Sequence, residues 1–187
     1  DSEYDSIAKF AYDKIAGRVK YILGSGSNCT KKAIEKSVLA EKIGVDGLLV
    51  VTPYYNKATQ KGLIEHYTAI AENVTIPVII YNVPSRTGLN ILPNTVAKLA
   101  EHENIIGIKE ASNNFSQILE LISKVPSNFS VISGNDDTII PLLSLGGAGV
   151  ISVLSNVFPK DVHTMCEAYM NGDVKYAKDL QLKYAEF

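Results

Sequence analysis

Apolar residues along this chain alternate between two rhythms. Continuous apolar runs at residues 19–23, 47–51, 77–81, 105–109, 129–133 and 149–152 have the length and the β-branched content of strands buried on both faces. The stretches between them carry apolar residues at three- and four-residue spacing, which predicts amphipathic helices. A first helix, 4–16, precedes the strands. The next spans about 30–43, buries Ile34, Val38 and Ile43, and stops at Gly44. Others end near Asn73, start at Pro93 or Asn94, contain Ile118, Leu119 and Ile122, or run through Leu145. Two more, at about 160–170 and 173–184, close the chain.

One helix between each pair of strands predicts parallel pairing, because parallel neighbours need a long crossover. Two architectures fit: an open doubly wound sheet, and a (β/α)8 barrel lacking its first two strands. Polar residues decide between them. They follow nearly every strand at its C-terminal end: Ser25 and Asn28, Tyr54 and Tyr55, Tyr81 and Arg86, Lys109 and Glu110, Gly134 and Asp136, then Ser152. Chemistry spread over every such loop is what a barrel mouth produces, whereas an open sheet concentrates its ligand at one switch point. The barrel is favoured.

Composition changes this picture little. The 187 residues are 46% hydrophobic and 20% charged, with a formal net charge of -2, as in an ordinary globular protein. Nothing in that balance favours nucleic acid or a membrane surface, and no apolar run has transmembrane length. Cys29 and Cys166 lack metal-ligand spacing and are expected to be reduced structural thiols. The chain opens on Asp1 directly into a helical pattern, so a segment of a longer protein is expected.

The candidate chemistry centres on Lys109, at the end of an apolar strand. A lysine there is paired, snorkels to water or is used. To attack a ketone its amine must be neutral, and moving the pKa from ~10.4 towards 7 requires a differential of about 4 to 5 kcal/mol. Burial supplies that push. Tyr81 ends the preceding strand and stands one strand spacing away. Arg86, between Pro84 and Gly88, suits bidentate recognition of a carboxylate. Together they predict a Schiff-base enzyme: Lys109 as nucleophile, Tyr81 as proton donor and acceptor, Arg86 as clamp.

Other motifs yield to plainer accounts. Gly24-Ser25-Gly26-Ser27-Asn28 lacks the third glycine of a dinucleotide fingerprint, which leaves a tight turn. Asp136 and Asp137 have no third ligand beside them and are expected to cap a helix rather than hold a metal. His66, His102 and His163 lie within or at the end of helical patterns, and no hydrolase triad is proposed.

The segments Val51-Thr52-Pro53-Tyr54-Tyr55-Asn56-Lys57, Tyr81-Asn82-Val83-Pro84-Ser85-Arg86-Thr87-Gly88 and Gly107-Ile108-Lys109-Glu110-Ala111-Ser112 closely resemble the dihydrodipicolinate synthase family. Ser133-Gly134-Asn135-Asp136 and Gly149-Val150-Ile151-Ser152 match too, so the similarity is collinear over essentially the whole chain. The resemblance implies a (β/α)8 barrel, here residues 1–172 without its first strands, followed at 173–187 by the start of a C-terminal helical region. It implies a cytoplasmic lyase that condenses pyruvate with L-aspartate 4-semialdehyde in lysine and diaminopimelate biosynthesis. The covalent Schiff base replaces any cofactor or metal, and the family assembles as a homotetramer, a dimer of dimers.

The same resemblance assigns roles. Lys109 matches the Schiff-base lysine, Tyr81 the catalytic tyrosine, and Tyr55 the tyrosine that reaches into the neighbouring subunit's site. Arg86 matches the arginine for the semialdehyde carboxylate, and Gly134 and Ile151 match positions whose backbone contacts pyruvate. Asn28 and Tyr54 match two members of the family's lysine effector site, but the glutamate expected one turn after Asn28 is Lys32. Feedback by lysine is therefore expected to be weak. N-acetylneuraminate lyases and other keto sugar acid aldolases share the lysine and tyrosine. Ser85-Arg86 and Glu110-Ala111-Ser112 favour the synthase over them. No Gly-Thr-Thr-Gly-Glu segment, which carries the family's pyruvate-binding threonines, occurs in these residues. A truncated, non-catalytic subunit is thus the third expectation.

Overall fold

A computed structural model describes residues 2–187. Six strands form one parallel sheet in their order along the chain. They are β1 (Ile22–Gly24), β2 (Gly47–Val51), β3 (Val78–Asn82), β4 (Ile105–Glu110), β5 (Ser130–Ser133) and β6 (Gly149–Val150). That sequential order removes the doubly wound alternative, whose strand order reverses at a switch point. Repeated right-handed crossovers between consecutive neighbours put the helices on one face, so the sheet curls around the other. The result is a six-stranded half-barrel with β1 and β6 as its edges.

The helices are α1 (Ser2–Ile15), α2 (Thr30–Ile43), α3 (Gln60–Ala71), α4 (Pro84–Thr87), α5 (Pro93–Leu99), α6 (Phe115–Lys124), α7 (Ile139–Ser144), α8 (Pro159–Met170) and α9 (Val174–Lys183). Single 3-10 turns occupy Asp136–Thr138 and Leu154–Asn156. Helix α2 has the predicted bounds, closed by Gly44 with φ of 97°. Local side chains start others: the Thr59 hydroxyl accepts from Gly62 N, the Asn114 side chain from Gln117 N and the Asp173 carboxylate from Tyr176 N. No helix among the described residues is long and apolar enough to cross a membrane.

Three expected boundaries move. The first strand starts at Ile22 rather than 19, because Asp46 holds the preceding residues: its carboxylate accepts from Tyr21 N at 2.9 Å and from Lys20 Nζ at 2.7 Å. The sixth strand shortens to Gly149–Val150, although Ile151 N still donates to Ser133 O at 2.9 Å. The segment holding Arg86 is one helical turn, α4, with Pro84 in its first turn and Gly88 just past its end.

The two faces of the sheet differ. Leu48, Val50, Val78, Ile80, Ile108 and Val131 belong to the main core with Leu63, Ile70, Leu99 and Leu121 from the helices. Their alternates Leu49, Val51, Tyr81 and Lys109 therefore turn to the opposite, concave face. Leu49, Val51 and Tyr81 are only partly buried. Burial on both faces is thus incomplete, since the concave side of a half-barrel has no opposite wall. A second apolar cluster, including Ile139, Leu143, Val162, Met165, Leu180 and Tyr184, joins α7, α8 and α9.

Candidate active site

Because every strand is parallel, all the strand-end residues gather on one rim. Tyr81 and Lys109 are register partners across β3 and β4 and so lie on the same face. Lys109 Nζ stands 4.4 Å from the centroid of the Tyr81 ring. Lys109 as a whole is only 8% exposed, far less than a lysine whose side chain extends into solvent. Burial pushes its pKa below the ordinary lysine value, and the negative charge of Asp136 opposes that shift. The neutral amine that attack on a carbonyl requires is thereby favoured.

Gly134 forms the wall beside this lysine. A β-carbon built there would lie 2.7 Å from Ala111 Cβ, 3.0 Å from Lys109 Cε and 3.2 Å from Lys109 Cγ. The backbone can press against the lysine stem only because position 134 has no side chain. Gly134 N also donates to Glu110 O at 2.8 Å, which fixes the wall to the end of β4. Ile151, next along the rim, is tied to β5 through Ser133.

The expected capping role of Asp136 changes. Its Oδ2 accepts from Val153 N and Leu154 N, both at 3.0 Å, rather than from its own helical turn. Asp136 therefore staples the loop after β5 to the loop after β6, and its Oδ1 is buried without a partner among the described residues. Asp136 O accepts from Gln181 Nε2 at 2.8 Å, so α9 is tied to the same corner. Among the described residues, no group of three or more His, Cys, Asp or Glu is placed to hold a metal ion.

Tyr81 links the lysine to a cavity of about 430 Å³ that Gly26, Val51, Tyr54, Arg86 and Thr87 help to line. Lys109 itself is not in that lining. Burial raises the Tyr81 pKa above the usual phenol value, and the Arg86 guanidinium counteracts it. Arg86 is exposed on α4, and the turn beneath it is anchored by Thr87. The Thr52 hydroxyl donates to the Thr87 hydroxyl at 3.3 Å, and Thr87 donates to Leu89 O at 3.0 Å. Gly26 explains the Gly-Ser-Gly turn: a β-carbon there would meet Val51 N at 2.6 Å, so the loop lies against β2. A larger cavity of about 580 Å³ between β6 and α8, lined by Val150, Ser152, His163 and Cys166 among others, is remote from the lysine–tyrosine pair in its lining.

Other candidate residues are dispersed. Tyr55 is 89% exposed, with φ of 74°, and stands outside the cavity that its neighbour Tyr54 lines. Asn28 O accepts from Asn56 Nδ2 at 2.9 Å, which joins the two loops. Lys32 instead lines a separate groove of about 280 Å³ between α1 and α2 with Tyr4, Asp5 and Glu35. Asn28, Tyr54 and Lys32 do not share one cavity.

The sequence patterns place Glu110 among the polar residues of the rim and give Asn82 no role, yet Asn82 and Glu110 are both buried, at 0% and 2% exposure, directly behind Tyr81 and Lys109. The signal available was alternation: a polar residue next to an inward-facing one on a strand must face the core. His66 is also buried, with Nδ1 2.9 Å from Thr30 Oγ1 and Nε2 unpartnered among the described residues.

The sequence model of the Dihydrodipicolinate synthetase family matches residues 1–186. The chain belongs to this family. It is 55% identical over 185 residues to a 4-hydroxy-tetrahydrodipicolinate synthase of Alkaliphilus oremlandii, covering 99% of this chain and 64% of that protein. It superposes on the dihydrodipicolinate synthase of Aquifex aeolicus with a TM-score of 0.97 at 42% identity, covering 99% of this chain and 64% of the other. The chloride-inhibited dihydrodipicolinate synthase of Acinetobacter baumannii, solved in complex with pyruvate, gives 0.95 at 41% identity over the same shares. The chain thus spans a little under two thirds of the length of the relatives it matches.

Proposed function

We propose that this chain carries the imine-forming part of a 4-hydroxy-tetrahydrodipicolinate synthase, which condenses pyruvate with L-aspartate 4-semialdehyde. The observation that carries the proposal is the buried Lys109 amine, 4.4 Å from the Tyr81 ring centroid. The neutral Lys109 Nζ adds to the ketone carbon of pyruvate, and loss of water leaves the imine. Removal of a methyl proton then gives an enamine whose carbon attacks the aldehyde of the second substrate. Tyr81 is the group placed to carry protons at the lysine nitrogen and the ketone oxygen. Arg86, exposed beside the cavity, holds the carboxylate of the semialdehyde. The backbones of Gly134 and Ile151 line the pyruvate.

In the whole protein we take the half-barrel to be closed by two more strands into a (β/α)8 barrel over residues 1–172, with 173–187 opening a C-terminal helical region. Tyr55, exposed on a left-handed backbone, is assigned to the site of a second copy in a homotetramer. No metal or cofactor takes part, and the enzyme works in the cytoplasm. Family membership and the name shared by its relatives support the synthase over a keto sugar acid aldolase.

Borohydride reduction in the presence of pyruvate tests the proposal. One pyruvyl-derived group should appear, and peptide mapping should place it on Lys109. Modification at another lysine would refute the assignment. No modification of this chain, where a full-length relative reacts, would favour the non-catalytic subunit. Parallel assays with aspartate semialdehyde and with N-acetylneuraminate separate the synthase from the aldolase.

A further inference from the structure

Behind the Tyr81–Lys109 pair, on the other face of the same two strands, lies a polar network that the reaction above does not use. Asn82 and Glu110 are themselves register partners, one residue beyond the reacting pair. Asn82 Nδ2 donates to Glu110 Oε2 at 3.0 Å and Oε1 at 3.2 Å, and to Asn90 Oδ1 at 2.9 Å. Asn82 Oδ1 accepts from Ile91 N at 3.2 Å, which clips together the two ends of the loop that carries Arg86. Asn90 Nδ2 donates to Gln117 Oε1 at 2.7 Å, so α6 is drawn in. Glu110 Oε1 also accepts from Ser112 N at 2.6 Å, which turns the chain away from the strand immediately after the lysine.

Burying a carboxylate among helices that could have been packed with apolar residues is costly. Among the described residues no cation offsets that cost: the hydrogen-bond partners of Glu110 are the Asn82 amide and the Ser112 N–H. Burial pushes the Glu110 pKa up, and those same hydrogen bonds oppose the shift. The pair is therefore poor as a source of stability and well suited to setting geometry. A strand slip of one residue would turn Lys109 into the core. Only one register lets Asn82 meet Glu110, and in that register Lys109 meets Tyr81.

We propose that Asn82 and Glu110 form a positioning pair that holds Lys109 against Tyr81 and closes the base of the Arg86 loop. The proposal deepens the imine-forming reading and rests on it for the pyruvate arm of its test. Neither residue touches the reacting atoms; they act through the strands that present them.

Charge exchange within the pair tests this. In Glu110→Gln, the amide end opposes the Asn82 donor. In Asn82→Asp, carboxylate faces carboxylate. Each single variant should lower the maximal rate of pyruvate-dependent borohydride trapping at Lys109 about tenfold, with the half-saturating pyruvate concentration unchanged. The exchanged double variant, Asn82→Asp with Glu110→Gln, restores a donor–acceptor match once the Asn90 and Gln117 amides turn to follow. It should trap within about threefold of the unaltered chain. A pair that only fills space would show additive losses.

Acylation of Lys109 by acetic anhydride, measured against the exposed Lys61, supplies a readout that does not involve pyruvate. If the unaltered chain fails to trap pyruvate, the functional reading falls, and the same loss-and-rescue pattern in acylation still judges the pair. A single variant that does not fold is judged by the double: recovery of folding together with Lys109 reactivity supports the pair. Wild-type reactivity in folded single variants, or a double variant no better than the worse single, overturns it.

Discussion

Gly134 leaves no room for a side chain against Lys109: a β-carbon on it would lie 3.0 Å from the lysine Cε and 2.7 Å from Ala111 Cβ. The lysine stem and the β4 end are packed against bare backbone, and the placement of the Lys109 amine depends on that contact. Gly134→Ala must therefore displace one of them. Overpacking of this kind costs about 1–3 kcal/mol, and a displacement near 1 Å at a reacting atom costs up to about 100-fold in rate. Pyruvate-dependent trapping should slow by about tenfold or more while the thermal midpoint falls only a few degrees. Trapping at the unaltered rate would remove Gly134 from the site wall.

Arg86 acts on Tyr81 by charge, and in the function proposed above its guanidinium also holds the second substrate. Arg86→Leu should raise the Tyr81 pKa further, since the charge that opposes the burial effect is gone. NMR titration of ring-labelled tyrosine measures this. Imine trapping with pyruvate should survive in the same variant, while a competing semialdehyde carboxylate loses most of its affinity, roughly tenfold or more.

His66 makes the fold sensitive to acid. Burial lowers its pKa from 6.5 to about 4. The folded protein keeps the ring neutral while the unfolded chain takes up a proton below 6.5. Stability should then fall as pH drops from about 6.5 to about 4, and this contribution should level off below that, where the folded state also binds the proton. The loss is on the order of 3 kcal/mol. His66→Gln should flatten denaturant midpoints over that window relative to the unaltered chain, whatever it does to stability at pH 7.

Lysine should be a weak effector. Lys32 stands exposed in the first turn of α2, in a groove apart from the cavity that Tyr54 lines. Within this chain the matched positions form no single pocket for lysine, and a cation at position 32 repels any ammonium brought beside it. Titration of the intact enzyme with lysine should give no inhibition below millimolar concentration. Lys32→Glu should move any inhibition to lower lysine concentration.

The order of elements was written in the hydrophobic rhythm. Helix α2 and strand β2 fall where the pattern puts them because Gly44 ends one and Gly47 begins the other, both local signals. The alternation also determined that Tyr81 and Lys109 share a face once their strands are neighbours. It could not specify β1, where Asp46 captures Tyr21 N from 25 residues away. Nor could it show Asp136 capping a loop 17 residues downstream instead of its own turn.

The tertiary structure alone decided the electrostatics around Lys109. Sequence places a lysine at a strand end, but its pKa depends on how much water reaches it and how near Asp136 lies. Those follow from packing between segments far apart in the chain. The same holds for Asn82 and Glu110, whose burial behind the reacting pair exists only when β3, β4, the Arg86 loop and α6 meet. Hydrophobic period is a property of neighbours along the chain, and so the sequence by itself determined strands, helices and the rim on which their polar ends gather. Desolvation and hydrogen-bond partnership are properties of neighbours in space, and they made Lys109 a buried amine with a lowered pKa rather than a surface charge.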